Sequence, residues 1–275
     1  MDASTGDATP HPLSRAGRPL VWAHRGASRA APENTLSAFC LAAKLGADGV
    51  ELDVQRCATG EVVVLHDESL GRTTGYAALL AETPLSKLRT LDAGARFSDR
   101  FRGERVPLLA EVLSETPASL LVNVELKCDR ADDRGLTAAT VAVVREQRAE
   151  ARVLLSSFNP LCLFRARALA ADVPRALLFE RDSSFALRHA LAAPALGAVA
   201  LHPEDALATP EAVRSWRRRG YLVAPWTVDD PDRAQALHAA GATGIITNVP
   251  DAMLARFQLG VRTPGPAAPT SSTRG

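Results

Sequence analysis

The chain lacks an excess of charge of either sign. Its 32 basic residues stand against 31 acidic ones, a net of +1. That balance gives no electrostatic case for nucleic acid or an anionic membrane surface as the main partner. No apolar run approaches the roughly 20 residues that a membrane helix needs, so no stable membrane insertion is expected. The segment from Met1 to Arg18 contains Pro, Ser and Asp without an apolar stretch, and does not read as a signal peptide. Cysteine is sparse as well. Cys40, Cys57, Cys128 and Cys162 are scattered without CxxC spacing and read as free thiols of a reducing compartment. A cytoplasmic location is the corresponding expectation. No GxGxxG follows the first apolar run, which removes the usual mark of a dinucleotide fold.

What is present is enough apolar material, 47% of 275 residues, to bury a large core. Residues 1–18 read as a disordered leader and 259–275 as a disordered tail rich in Pro, Ser, Thr and Gly. Between them, 19–258 reads as one domain. Leu20 to His24 is a strand that runs into a glycine-permitted turn at Gly26. A helix opens at Pro32-Glu33-Asn34-Thr35, with Asn34 or Thr35 as its cap, and stops at Gly46. Two β-branched runs then flank a Thr59-Gly60 turn. Residues 68–106 break the rhythm with glycines, charges and one helical piece around Leu85 to Leu88, and read as an insertion. A helix is expected over Leu108 to Leu113 and a strand over Leu120 to Leu126.

Helices and strands then alternate regularly. Strands are expected at Val153 to Ser156, Ala176 to Phe179, Gly197 to Leu201, Tyr221 to Ala224 and Gly244 to Thr247. Helices are expected between and after them, including one over Phe185 to Leu191. Eight strand-then-helix units argue for an α/β chain folded as a closed (β/α)8 TIM barrel, with a doubly wound open sheet as the alternative.

Active sites of such barrels lie at the C-terminal ends of the strands. His24, Arg25, Glu51, Asp53, His66, Glu125, Lys127, Ser157, His202, Trp226, Thr247 and Asn248 all fall there. On a strand Val50, Leu52 and Val54 share one face, so Glu51 and Asp53 share the other. Together with Glu125 they form three inward carboxylates, an all-oxygen set suited to Mg²⁺ or Ca²⁺. The competing reading is salt bridging to Arg25 and Lys127. His24 and His66 suit proton transfer in either direction near pH 7. They could instead be hydrogen-bonded core histidines or further metal ligands. Arg25 and Lys127 could hold an anion such as a phosphodiester, or merely neutralise the carboxylates. Trp226 reads as an apolar wall for substrate or as core packing. His202 reads as a substrate contact or as a capping or surface group. His11, His189 and His238 carry no role.

Six stretches taken together resemble the glycerophosphodiester phosphodiesterases. They are His24-Arg25-Gly26 with Pro32-Glu33-Asn34-Thr35, the segment Gly46 to Val54, Val64 to Asp67, Val124 to Lys127, Trp226-Thr227-Val228, and Thr247 to Asp251. Their order and spacing hold across residues 20–257. The resemblance implies a metal-dependent barrel with a small insertion after the His-Asp pair, matching 68–106. It implies Glu51, Asp53 and Glu125 on a divalent ion, His24 and His66 as the acid/base pair, and Arg25 and Lys127 on the phosphate. It implies hydrolysis of small glycerophosphodiesters to glycerol 3-phosphate and an alcohol. Asn34 and Thr35 would be architecture for the first loop. The sequence departs from the family at Gly71, where members commonly carry Asp before Arg-Thr-Thr, which bears on loop shape. Two other readings keep the same site: a lysophospholipase D-type cleavage of lysophospholipids, and a non-catalytic barrel that binds phosphodiesters.

Overall fold

The computed structural model describes residues 13, 15 and 17–259. The expected leader and tail therefore lie almost entirely outside the described residues. Nine strands form one sheet: β1 (Leu20–His24), β2 (Gly49–Arg56), β3 (Val62–Val64), β4 (Leu121–Leu126), β5 (Val153–Ser157), β6 (Arg175–Phe179), β7 (Ala200–Pro203), β8 (Leu222–Val223) and β9 (Gly244–Thr247). The order is β8-β7-β6-β5-β4-β2-β1-β9, all parallel, with β3 pairing antiparallel to β2 outside that path. Eight parallel strands thus make the expected barrel, and the open doubly wound sheet is excluded.

Closure between β8 and β9 is irregular for a chemical reason. Pro225 has no N–H to give to a ladder, so β8 stops after two residues. The seam is held instead by Thr243 N–H on Val223 O (2.8 Å), Val223 N–H on Thr243 Oγ1 (2.9 Å) and Ile246 N–H on Pro225 O (3.0 Å). The strand expected at Gly197 to Leu201 lies further on. Gly197 adopts φ 60° and caps the short helix Ala193–Leu196, so β7 begins only at Ala200. The helix expected over Phe185 to Leu191 is likewise shorter, at Phe185–Arg188.

Side-chain alternation builds two layers. Val122, Val124 and Leu126 of β4 and Val153 and Leu155 of β5 face outward, onto helices Leu36–Leu45, Leu109–Glu115 and Leu136–Glu146. The inward face at the barrel bottom is filled by Leu20, Trp22, Leu154, Ala176, Ala200, Ala224 and Ile246, with Leu13 against them. Trp22 explains a glycine: a Cβ on its register partner Gly49 would lie 2.5 Å from the indole ring. Polar inward residues are left to the opposite, C-terminal end.

The insertion carries its own small core. Leu70, Leu80 and Leu88 are fully buried with Val63, Leu65 and Val106. Each such leucine contributes roughly 1.5–3 kcal/mol. Besides Leu85–Leu88 it contains the short helix Gly71–Thr74, which the sequence pattern does not reveal.

Candidate active site

A cavity of about 420 Å³ opens at the C-terminal ends of the strands. His24, Arg25, Glu51, His66, Glu125, Lys127 and Trp226 all line it. Seven of the eight expected site residues therefore line one cavity, and the eighth, Asp53, is 1% exposed beside Glu51 and Glu125.

β2 presents Glu51 and Asp53 on its inward face, and β4 pairs Glu125 directly opposite Asp53. One oxygen from each of the three carboxylates lies within 4.8 Å of the other two. Burial, reinforced by the charge of Asp53, pushes Glu51 and Glu125 each up to about 8. Burial acts on Asp53 too, but Arg25 and Lys127 outweigh it and hold its carboxyl below the ordinary value. Arg25 Nε stands 3.3 Å from Asp53, and Lys127 Nζ stands 2.9 Å from Glu125 and 3.7 Å from Asp53. Salt bridging is therefore real but incomplete. Two cations face three carboxylates, and two of the three resist ionisation. A further cation is what this donor set calls for, and an all-oxygen set favours a hard divalent ion.

The loop after β1 supplies more than architecture. Arg25 at φ 54° turns its N–H onto Glu51 Oε2 (3.1 Å). Gly26 follows at φ 82°, where a Cβ would strike the Ala38 backbone at 2.7 Å. Thr35 is the helix cap, accepting from Ala38 N–H, while Asn34 donates from Nδ2 to Asp53 Oδ2 at 2.8 Å. Asn34 thus orients a carboxylate of the cluster directly.

His24 and His66 enter from different elements. The Nε2 of His24 stands 3.8 Å from Glu51. Its Nδ1 is 2.8 Å from Asn248 Oδ1, and Asn248 is itself fixed because its Nδ2 donates to Asp229 (2.8 Å). With the amide N–H used on Asp229, the imidazole must donate from Nδ1, which leaves the Nε2 lone pair toward the cavity. His66 follows β3 and sets its Nδ1 2.7 Å from Asp67 Oδ1. Arg72 holds the other Asp67 oxygen (2.5 Å) and grips Glu33 through two nitrogens (2.9 and 2.7 Å). The Arg72 hydrogen bond is the main reason Asp67 is pulled down to about 2. Burial lowers both histidines from their ordinary value, so both rings are neutral near pH 7.

Trp226 is half-buried on the far wall, edge-to-face with Phe158 at 5.4 Å, its Nε1 donating to His202 O (2.9 Å). Ser157 lines the cavity, but its hydroxyl donates to Leu126 O (2.8 Å), which makes it a brace between β4 and β5. His202 corrects the expectation of a substrate contact or a capping or surface group. It is 1% exposed inside the barrel, outside the lining of the catalytic cavity, and burial lowers its imidazole to about 3. His189 stacks on Phe185 and His238 meets Phe257 edge-on, while His11 lies outside the described residues. Asp229 and Arg72 are site-shaping residues that the sequence reading does not single out, and their one signal is adjacency to a motif. Glu33, Asp67 and Asn248 stand inside the stretches that carry the family resemblance, Asn248 at a strand end, but are given no role of their own there.

The model of the glycerophosphoryl diester phosphodiesterase family matches residues 24–252. A glycerophosphodiester phosphodiesterase of Caldanaerobacter subterraneus subsp. tengcongensis is 37% identical over 236 residues, 86% of this chain and 96% of that protein. One from Bacillus subtilis is 30% identical, with 85% of each chain covered. The structure of an Oleispira antarctica phosphodiesterase in complex with the product sn-glycerol-3-phosphate superimposes with a TM-score of 0.80 at 31% identity, covering 88% of this chain and 97% of that one. By sequence, by fold and by the residues its strands bring together, the chain belongs to the glycerophosphoryl diester phosphodiesterase family.

Proposed function

We propose that this protein hydrolyses glycerophosphodiesters to glycerol 3-phosphate and an alcohol, with a divalent cation, Mg²⁺ or Ca²⁺, held by Glu51, Asp53 and Glu125. The observation that carries the reading is the gathering of three mutually close buried carboxylates, two neutral imidazoles and two cations around one cavity. Its volume suits a small molecule. When bound, the ion supplies Lewis-acid polarisation of a phosphoryl oxygen.

The chain's own groups supply the rest. Arg25 and Lys127 line the cavity beside the carboxylates and attract the phosphodiester anion, stabilising charge that develops on its oxygens. One imidazole takes the proton of the attacking hydroxyl: a water, which gives glycerol 3-phosphate directly, or the substrate's own glycerol 2-hydroxyl, which gives a cyclic phosphate that a water then opens to glycerol 3-phosphate. The other imidazole acts from the minority of molecules in which it has taken up a second proton, and gives that proton to the departing alkoxide, so charge is conserved across the pair. His66 is the better seat for a positive charge, since Asp67 receives its Nδ1–H. Trp226 and Phe158 offer an apolar wall against which substrate carbons can lie.

The test is glycerol 3-phosphate release from glycerophosphocholine by chelated protein, before and after addition of Mg²⁺ or Ca²⁺. Product restored by an ion is the expected result. Absence of product with every ion, but rapid turnover of a lysophospholipid, would transfer the site to lysophospholipase D-type cleavage. Binding without any turnover would make the barrel a phosphodiester-binding protein.

A further inference from the structure

The barrel interior around and below the carboxylates is apolar, with a few buried polar exceptions. Asn123 lies on β4 two residues before Glu125, hence on the same inward face, and pairs in register with Glu51. It is 0% exposed and borders the catalytic cavity with both glutamates. Neither its Nδ2 nor its Oδ1 has a hydrogen-bond partner among the described residues. Ser156, the register partner of Glu125 on β5, is also 0% exposed, and its Oγ is likewise unpartnered. Buried polar groups are nearly always paired, and an apolar side chain of the same shape would cost less at either position. Both point into the barrel among alanines and leucines that show such side chains fit there.

The three carboxylates are not supported equally. Asp53 has an amide to orient it, the Nδ2 of Asn34. Glu51 is met by the Arg25 backbone N–H and Glu125 by Lys127, both from the open side of the cavity. No amide or hydroxyl side chain among the described residues supports either glutamate from below. Carboxylates on a metal ion need such donors to fix their free oxygens.

We propose that Asn123, which borders the cavity, is a positioning residue that aligns Glu51 and Glu125 for the divalent ion, helped by Ser156 on the strand next to Glu125. The inference rests on the metal reading above.

The experiment measures Ca²⁺ and Mg²⁺ dissociation constants of the chelated full-length protein by titration calorimetry, with thermal melts in chelator alongside. Wild type, Asn123→Leu, Asn123→Ala and Ser156→Ala are compared. Asn123→Leu is expected to weaken the ion about 10–100-fold, the usual effect of losing an orienting partner. Its melt in chelator is expected at or above that of wild type, since a merely structural amide would give the opposite shift. Excess ion should restore kcat with KM unchanged. Should Asn123→Leu fail to fold, Asn123→Ala carries the same expectation for affinity. Ser156→Ala should weaken the ion by a smaller factor. Affinity within twofold of wild type in the folded Asn123 variant overturns the proposal. So does a lost kcat that excess ion cannot restore. A wild-type protein that binds neither ion strikes the metal reading itself, a result distinct from either.

Discussion

Replacement of Asp67 by Asn isolates what the carboxylate does for His66. The two sit 2.7 Å apart, through Nδ1 and Oδ1. Asp67 is pulled down to about 2 by the Arg72 hydrogen bond first, so it is ionised throughout any assay range. The contact is thus charge-assisted, and such a bond is worth roughly 1.5–3 kcal/mol. If that energy is felt when His66 carries the proton in the transition state, its loss corresponds to about 10–150-fold in kcat/KM at tenfold per 1.36 kcal/mol. Asn can still accept from Nδ1–H, so folding should change little. The pH profile supplies a second readout. Burial already lowers His66, and Asp53 and Asp67 oppose that effect. Removing one anion makes the imidazolium less stable, so the limb governed by His66 moves to lower pH, whether the ring serves as acid or base. The assay is glycerol 3-phosphate release at saturating divalent ion from pH 5 to 10. Activity within threefold of wild type, with both limbs unmoved, would remove His66 from the proton transfer.

Other outcomes follow from the same geometry. Glu51 and Glu125 are each raised from 4.5 to about 8, so the folded, ion-free protein holds protons that the unfolded chain releases. Stability in chelator should therefore fall as pH rises from about 4.5 to 8, and Glu51→Gln should flatten that slope; a melt that is level or rising across this window in chelator would contradict it. Leu80→Ala should cost about 2–5 kcal/mol in urea unfolding because Leu80 is 1% exposed in the insertion core, and a loss under 1 kcal/mol would mean that this core contributes little. Burial pushes Cys162 up to about 12, and all four cysteines are free thiols. Native thiol titration should consume the half-buried Cys40 and Cys128 first and leave Cys162 until unfolding; early labelling of Cys162 would show that its helix opens.

The parts of the fold that were legible are those where a short-range rule decides. Alternation on strands put Glu51 and Asp53 on one face and Val50, Leu52 and Val54 on the other, and the structure keeps that division. The same rule applied to β7 depends on where the strand begins. Placing it at Gly197 to Leu201 leaves His202 beyond the strand, as a cap or surface group. Once Gly197 is seen to cap a helix, Ala200 and His202 alternate inward against Leu201 outward, and His202 becomes a barrel-interior residue. A boundary shift of three residues therefore decides the role of a histidine. The seam at Pro225 is similar. Composition marks the end of a strand there, but only the closed barrel brings Thr243 across to bridge it.

Site charges and site geometry were not equally readable, and the difference has a cause. The carboxylates are costly to bury, so strands that carry them announce a compensating cation at once. The neutral groups that aim the site's side chains are cheap and common: Asn34 on Asp53 and Asn248 on His24. An asparagine has no signature in a sequence, because a surface asparagine and an orienting one differ only in what the fold places opposite them. Asp229 and Asn248 are 19 residues apart, and both are about 200 or more from His24, yet they form one hydrogen-bonded chain because barrel closure sets β9 beside β1. Sequence thus predicts where unfavourable charge must be neutralised, whereas the hydrogen bonds that make the site selective follow from register. Asn34 and Asn123 show the consequence. One is paired with its carboxylate and the other is not, so the second is where a bound ion should change the structure most.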